Sequence, residues 1–196
     1  DQSDVRCLHD DLSEQMREEI KIQRKAGSSL GGIYEIIVTG VPAGLGSFTH
    51  WDQKLDGKIA QAILGTQAMK GVEIGLGFEA AKRDGQNVHD EITHNGNHFT
   101  RSTNHSGGIE GGMSTGMPII IRGAMKPIPT MLNPLNTIDL HTLKATETRY
   151  ERSDVCALPR AVVVAESVIA PVIANAFLEK FGGDSIEEIE ERYKNS

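Results

Sequence analysis

RSTNHSGGIEGGMSTGMPIIIRGAMKPIPT, residues 101–130, is the stretch around which the rest of the chain is organised. Five of the ten residues from Gly107 to Gly116 are glycine, and the run leads into Ile119-Ile120-Ile121 and a closing Lys126-Pro127-Ile128-Pro129-Thr130. Glycine loses the most backbone entropy on folding, so such a density needs a reason. Two reasons are available: backbone conformations closed to other residues, as in tight turns, or close approach of main-chain N–H groups to a planar or anionic ligand. Lys126, a lone cation between apolar and proline-containing flanks, favours a cofactor or phosphate cradle over the tight-turn alternative. The run is neither a GxGxxG after an apolar strand nor a Walker A loop, because no GK[ST] follows. Residues 118–125 are read as a strand.

Outward from this stretch toward the N-terminus, residues 84–105 are polar, rich in Asn, Gly and His, and aperiodic, which predicts a long excursion or hairpin tip. His89, His94, His98 and His105 raise the question of a metal. They lack the HExxH arrangement and no cysteine joins them, so the reading is a polar loop and no metal. Residues 71–78 read as a strand whose glycines imply a bulge or a close backbone neighbour. Leu55, Ile59, Ile63 and Gln67 recur every four residues, predicting a helix over 56–70 with Gln67 at its end beside Ala68. The second glycine-rich loop, residues 40–47, is read as a turn that buries Trp51, with a site-lining loop as the alternative. Residues 33–39 are a strand, and residues 10–26 a surface helix with Leu12, Met16 and Ile20 on one stripe. Ser13 or Asp11 is its expected cap and Gly27 its left-handed stop.

Toward the C-terminus, residues 131–139 are expected to form a loop turning at Asn133-Pro134. Arg152 and Asp154 stand two residues apart just before an apolar helix. An arginine so placed can fork onto a carboxylate or phosphate while the aspartate exchanges a proton nearby. The alternative is a salt-bridged helix entrance with Asp154 as its cap. Residues 161–181 predict a buried core or subunit-contact helix carrying Ile169, Ile173, Phe177 and Phe181 on one face, kinked or broken near Pro171. Gly182-Gly183 stops it, and residues 184–196 read as a solvated tail.

With 196 residues, 38% hydrophobic and 24% charged, the chain falls in the soluble globular class as a single α+β unit spanning 1–196. A net charge of −7 argues against nonspecific nucleic-acid binding. No apolar run is read as approaching the roughly 18–20 residues of a bilayer span. Cys7 and Cys156 match no metal spacing and are expected to stay reduced, with cytoplasm as the compartment. The opening residues read as the middle of something longer.

Taken together, residues 101–130, ERSDVCALPRA at 151–161, QAMKGVEIGLGFEAA at 67–81, VRC at 5–7 and GSSLGG at 27–32 resemble chorismate synthase, in that family's order. The resemblance covers the C-terminal half of the family; the half carrying its N-terminal histidine motif, a second catalytic histidine and several substrate arginines has no counterpart here. It implies a β-α-β sandwich assembled as a homotetramer. It also implies a flavin-dependent lyase of the shikimate pathway, in aromatic amino acid biosynthesis. The reaction is the anti 1,4-elimination of phosphate from 5-enolpyruvylshikimate 3-phosphate, with reduced FMN as cofactor. By motif, Gln67 and Ala68 resemble flavin contacts, with Gln67 where many members carry Asn. Gly111 and the run Lys126, Pro127, Ile128, Pro129, Thr130 resemble the flavin-cradling loop. Arg152 corresponds to an arginine near flavin and substrate, and Asp154 to an aspartate assisting proton exchange at the flavin. GSSLGG departs from the common GDSxGG, so Ser28 receives no role. The alternative is a non-catalytic flavin-binding or oligomerisation fragment.

Overall fold

The computed structural model describes residues 3–94, 96 and 99–195, so His98 of the histidine group lies outside the described residues. In chain order the elements begin with α1 (Asp10–Lys25), β1 (Gly32–Val38), α2 (Leu55–Leu64), β2 (Met69–Ile74), β3 (Ile92–His94) and β4 (Phe99–Arg101). They continue with β5 (Ile109–Glu110), β6 (Met113–Ser114), β7 (Ile119–Met125), β8 (Asn136–Ile138), β9 (Ala145–Glu147), α3 (Leu158–Phe181) and α4 (Ile186–Lys194). The α+β class is as expected. Contacts cluster in two compact units, Asp1–Ile33 with Ala124–Val163 and Tyr34–Gly123 with Val164–Ser196.

The larger unit is built on a three-stranded sheet of order β1-β7-β2. Ile119 and Ile121 of β7 are fully buried, as are Leu55, Ile59 and Ile63 on one stripe of α2, so the four-residue spacing marks a true core face. That helix stops at Gly65 rather than running to residue 70. Gln67 and Ala68 therefore lie in the turn before β2, where burial of Met69 has already turned the chain into a strand. The second glycine loop buries Leu45, not Trp51, which is 82% exposed. Leu45 is drawn in because its N–H donates to Ser114 Oγ at 2.8 Å, while that hydroxyl donates to Pro42 O at 2.6 Å.

The glycine-rich run folds chiefly as a turn. Gly111 (φ +61°) and Gly112 (φ +89°) are the two central residues between β5 and β6, and consecutive positive φ values are what a tight hairpin of this hand requires. Gly107 (φ +65°) lies backbone to backbone against Gly75 (φ +59°), where an added Cβ on either would strike the other's main chain. The predicted close neighbour of the residue 71–78 strand is thus real, although β2 ends at Ile74 and a 3-10 turn, Gly77–Lys82, follows. The excursion over residues 84–105 is a hairpin, with Ile92 opposite Arg101 and His94 opposite Phe99.

Asp90, at the foot of that hairpin, is buried. Burial raises the carboxyl's pKa. A hydrogen bond from Thr103 Oγ1 (2.5 Å) and the N–H groups of Ser106 and His105 (both 2.8 Å) outweigh this and bring it down to about 2 from an ordinary 3.8.

α3 runs unbroken through Pro171, so the helix is not broken there. Loss of one backbone bond is outweighed by the turns that bury Ala165, Ile169 and Ala176. It is not a buried helix: Val163, Val164 and Leu178 are exposed, and α3 is long and apolar enough to cross a membrane by length and composition, which corrects the reading that no run approaches that size. The C-terminal tail is helical. Ser185 caps α4 by accepting the Glu188 N–H, and Tyr193 packs its ring against Phe177 and Phe181 at 5.4 and 5.3 Å.

In the smaller unit α1 ends at Gly27 (φ +67°) as predicted, but neither Asp11 nor Ser13 caps it. Its N-cap is His9, and Ser13 is buried within the helix, in hydrogen-bond contact with Ser3 Oγ. Residues 131–139, read as a loop, contain β8, which pairs with β9 in a hairpin where Asn136 faces Glu147. Asn133 does turn the chain, closing the end of α1 by donating Nδ2 to Ala26 O at 2.6 Å.

Two stability predictions follow from this geometry. Gly75→Ala should lower unfolding free energy by at least about 2 kcal/mol, because strain and collision act together, whereas Gly111→Ala should cost only about 1 kcal/mol. Equal losses in urea titrations would refute the packing argument. For Asp90, the folded pKa is depressed, so its stabilisation is complete above the ordinary 3.8 and lost as pH falls through about 2. Asp90→Asn should therefore be less stable by on the order of 2 kcal/mol near neutral pH, with the gap closing between about pH 4 and pH 2. A gap that is constant with pH would contradict this origin.

Candidate functional site

Arg24, Ser28, Ser29, Thr130, Tyr150, Arg152, Ser153 and Asp154 are among the residues that line a cavity of about 310 Å³ in the smaller unit. Three short segments meet there because hydroxyls tie them. Ser29 Oγ donates to Ile128 O at 2.5 Å, and Ser153 Oγ donates to Thr130 O at 2.8 Å. The Leu30 N–H donates to Val155 O at 2.7 Å, beside a parallel bridge from Leu30 to Cys156. The chain leaving α1 at its left-handed glycine thus clamps both the Lys126-to-Thr130 run and the Arg152-to-Asp154 run. Gly31 and Gly32 permit this, since a Cβ at Gly31 would strike Met125 O and one at Gly32 would enter the Leu158 side chain.

Of the residues singled out by sequence, Thr130, Arg152 and Asp154 are brought to this one cavity. Lys126 is exposed on the same segment as Thr130, with Pro127, Ile128 and Pro129 between them. Among the described residues neither Lys126 nor Arg152 forms an ion pair, leaving two cations open to an anionic ligand. Asp154 Oδ2 accepts from Arg160 Nη1 at 2.5 Å, so the salt-bridged helix entrance is present. Asp154 is not the cap of α3, which begins four residues later at Leu158.

Gln67, Ala68 and Gly111 belong to the larger unit. Gln67 is exposed in the turn after α2, and Ala68 has φ +67°, one of the few non-glycine residues in the left-handed region. Such strain persists only where neighbours enforce it, and it concentrates where a site needs a fixed backbone. Gly111 is exposed at the hairpin tip with no atom within 4 Å of where a Cβ would stand, so the space beside its backbone is open.

Each unit by itself offers groups that an anionic flavin can use: in the smaller one, cations without an ion pair among the described residues and hydroxyl-fixed carbonyl segments, and in the larger one a glycine whose missing side chain leaves its backbone approachable. Sequence reasoning overlooked Ser29, Ser153 and Asp90. Their side chains bond to main-chain groups distant in sequence, which no local spacing announces.

A family model described as chorismate synthase matches residues 1–178. Among curated relatives, the chorismate synthase of Syntrophotalea carbinolica is 53% identical over 191 residues, covering 97% of this chain and 49% of the relative. That of Geobacillus thermodenitrificans is 51% identical over 197 residues, covering 100% of this chain and 51% of the relative. A solved structure entitled "Crystal Structure of Chorismate Synthase" superposes with a TM-score of 0.79 at 44% identity, covering 94% of this chain and 48% of that one. The chain therefore spans about half the length of the relatives it matches.

Proposed function

The chain belongs to the chorismate synthase family, and from that premise we propose that it supplies the C-terminal half of a lyase that converts 5-enolpyruvylshikimate 3-phosphate to chorismate and phosphate by anti 1,4-elimination. Residues 1–196 then form one part of a larger domain, a β-α-β sandwich in a cytoplasmic homotetramer. The observation that carries this reading is the meeting of Thr130, Arg152 and Asp154 on one polar cavity in a chain matched to the family over residues 1–178.

Reduced FMN, when bound, lends electron density to the substrate as phosphate departs. Its proposed contacts are Gln67, Ala68, Gly111, Lys126, Pro127, Ile128, Pro129, Thr130 and Arg152. Lys126 and Arg152 offer fixed positive charge to anionic groups, and electrostatic stabilisation of this kind is strongest where water is excluded. Arg152 also serves the substrate, its planar fork matching a carboxylate or phosphate. Pro127 and Pro129 stiffen the backbone between Lys126 and Thr130, and Ser153 holds Thr130 O, so these donors are ordered before any ligand arrives. Gln67 presents an amide, donor and acceptor together, from a turn in which Ala68 takes a positive φ. Asp154 is the acid–base residue: Arg160 holds its Oδ2, and a proton is taken up or released at the carboxylate.

In the complete enzyme Asp154→Asn should reduce turnover by roughly 10²-fold or more while FMN affinity stays within a few-fold. Turnover equal to wild type would remove Asp154 from the mechanism. Lys126→Ala should weaken FMN binding by about tenfold, the loss of one charge-assisted contact, and an unchanged titration would discard that contact.

A further inference from the structure

The carboxylate of Asp90 lies far in sequence from the proposed flavin contacts, yet its three hydrogen bonds all go to the segment that leads into the glycine hairpin. Its Oδ1 accepts from Thr103 Oγ1 and the His105 N–H, and its Oδ2 accepts from the Ser106 N–H. The segment is passed directly onto the sheet. The Leu76 N–H donates to His105 O at 2.8 Å, the Ile120 N–H to Gly107 O at 3.1 Å, and the Gly75 N–H to Ile120 O at 3.0 Å. From Gly107 the chain has only Gly108, Ile109 and Glu110 to traverse before Gly111. Gly108 O accepts the Thr115 N–H at 2.9 Å, and Glu110 is gripped by Arg101 through Nε (3.2 Å) and Nη2 (2.6 Å). Asp90 is thus the buried anchor at the near end of a short, hydrogen-bonded path to the hairpin tip.

No other group among the described residues is seen to accept the His105 and Ser106 N–H groups. Replacing the carboxylate by an amide puts an NH₂ against one of those donors, and a buried donor left unsatisfied moves the backbone rather than staying in place. The turn next to it cannot absorb that movement, because Gly75 and Gly107 already touch main chain to main chain.

We propose that Asp90 is a positioning residue for flavin binding: by holding Thr103, His105 and Ser106 it sets where the Gly111 backbone is presented to the cofactor. The inference rests on the flavin reading of Gly111 given above. Asp90 itself touches no cofactor in this scheme and acts through the hairpin.

The test uses the full-length enzyme and FMN titration of folded protein, so that affinity is separated from the amount folded. Asp90→Asn should raise the FMN Kd by roughly tenfold, since a displacement near 1 Å at a binding group is costly. Thr103→Val, which removes one bond and leaves both backbone N–H partners in place, should raise it by about threefold. Ile169→Val, a buried change on α3, should lower the melting temperature and leave the Kd unchanged. A merely structural Asp90 would behave like Ile169. An Asp90→Asn protein that folds and keeps its FMN Kd within about twofold overturns the proposal. If that variant does not fold, Thr103→Val decides in the same way: a weaker Kd supports the proposal and an unchanged one overturns it. Lys126→Ala run in parallel identifies the cause of a failure. If Lys126→Ala weakens binding and Asp90→Asn does not, Asp90 alone is wrong; if neither weakens it, the flavin reading falls too.

Discussion

Gly75 and Gly107 meet main chain to main chain, and no residue with a side chain could stand at either position without displacing the other. Much of the larger unit depends on this approach. It lets the turn after β2 share Ile120 of the central strand with the glycine-rich run: the Gly75 N–H takes one polar group of Ile120, and Gly107 O takes the other. The hairpin from Ile109 to Ser114 is then fixed to β7 at its base. Through Ser114 and Gly112 the same hairpin holds the loop that buries Leu45 and the first turn of α2, whose Leu55 N–H donates to Gly112 O at 2.9 Å. Gly75 and, within the dense cluster, Gly107, Gly108 and Gly112 thus have a steric reason, whereas Gly111 is set by backbone hand alone, with open space beside it. A tight-turn reading and a ligand reading are therefore not rivals. The turn is what makes one glycine backbone available.

Periodicity and glycine stops carried the sequence reading where local physics dominates. The end of α1 at Gly27, the buried stripe Leu55, Ile59 and Ile63, the strand through Ile121 and the stop at Gly182-Gly183 could all be read locally, because each depends on spacing or backbone hand within a few residues. Reading failed where tertiary contacts choose among local options. Extending α2 to residue 70 fits its period, but burying Met69 in the sheet ends the helix early. Trp51 is apolar and was assigned to the interior, yet the loop needs only Leu45 there. The helix α4 was missed although its signal was present: Ser185 followed by Glu188 three residues on is a capping pattern, here masked by the high charge of the segment.

The candidate site was legible in the same uneven way. Arg152, Asp154 and Thr130 were found because their residue types carry chemistry, and they do share a cavity. Ser29, Ser153 and Asp90 were not found, because their role is to satisfy distant backbone groups. A serine donating to Ile128 O and another donating to Thr130 O look, in sequence, like any loop serine. Ala68 is a similar case. Alanine is the least remarkable residue by type, and only its positive φ shows that the backbone there is held against its own preference.

The pair Asp154–Arg160 brings the two readings of that charged segment together. Both side chains are largely exposed, and ion pairs in such settings contribute at most about 1 kcal/mol, so stability does not explain why the pair exists. Orientation does. An exposed aspartate samples several rotamers, and one oxygen held by a guanidinium from the first turn of α3 leaves the other directed by a rigid element. The same contact leaves Arg152, two residues earlier, without an acidic partner among the described residues. A segment with two arginines and one aspartate thereby divides its charges: Arg160 is committed to holding Asp154, and Arg152 stays free for an anion. Under the proposed acid–base role of Asp154, the salt-bridged helix entrance would support that chemistry, so the two readings are compatible.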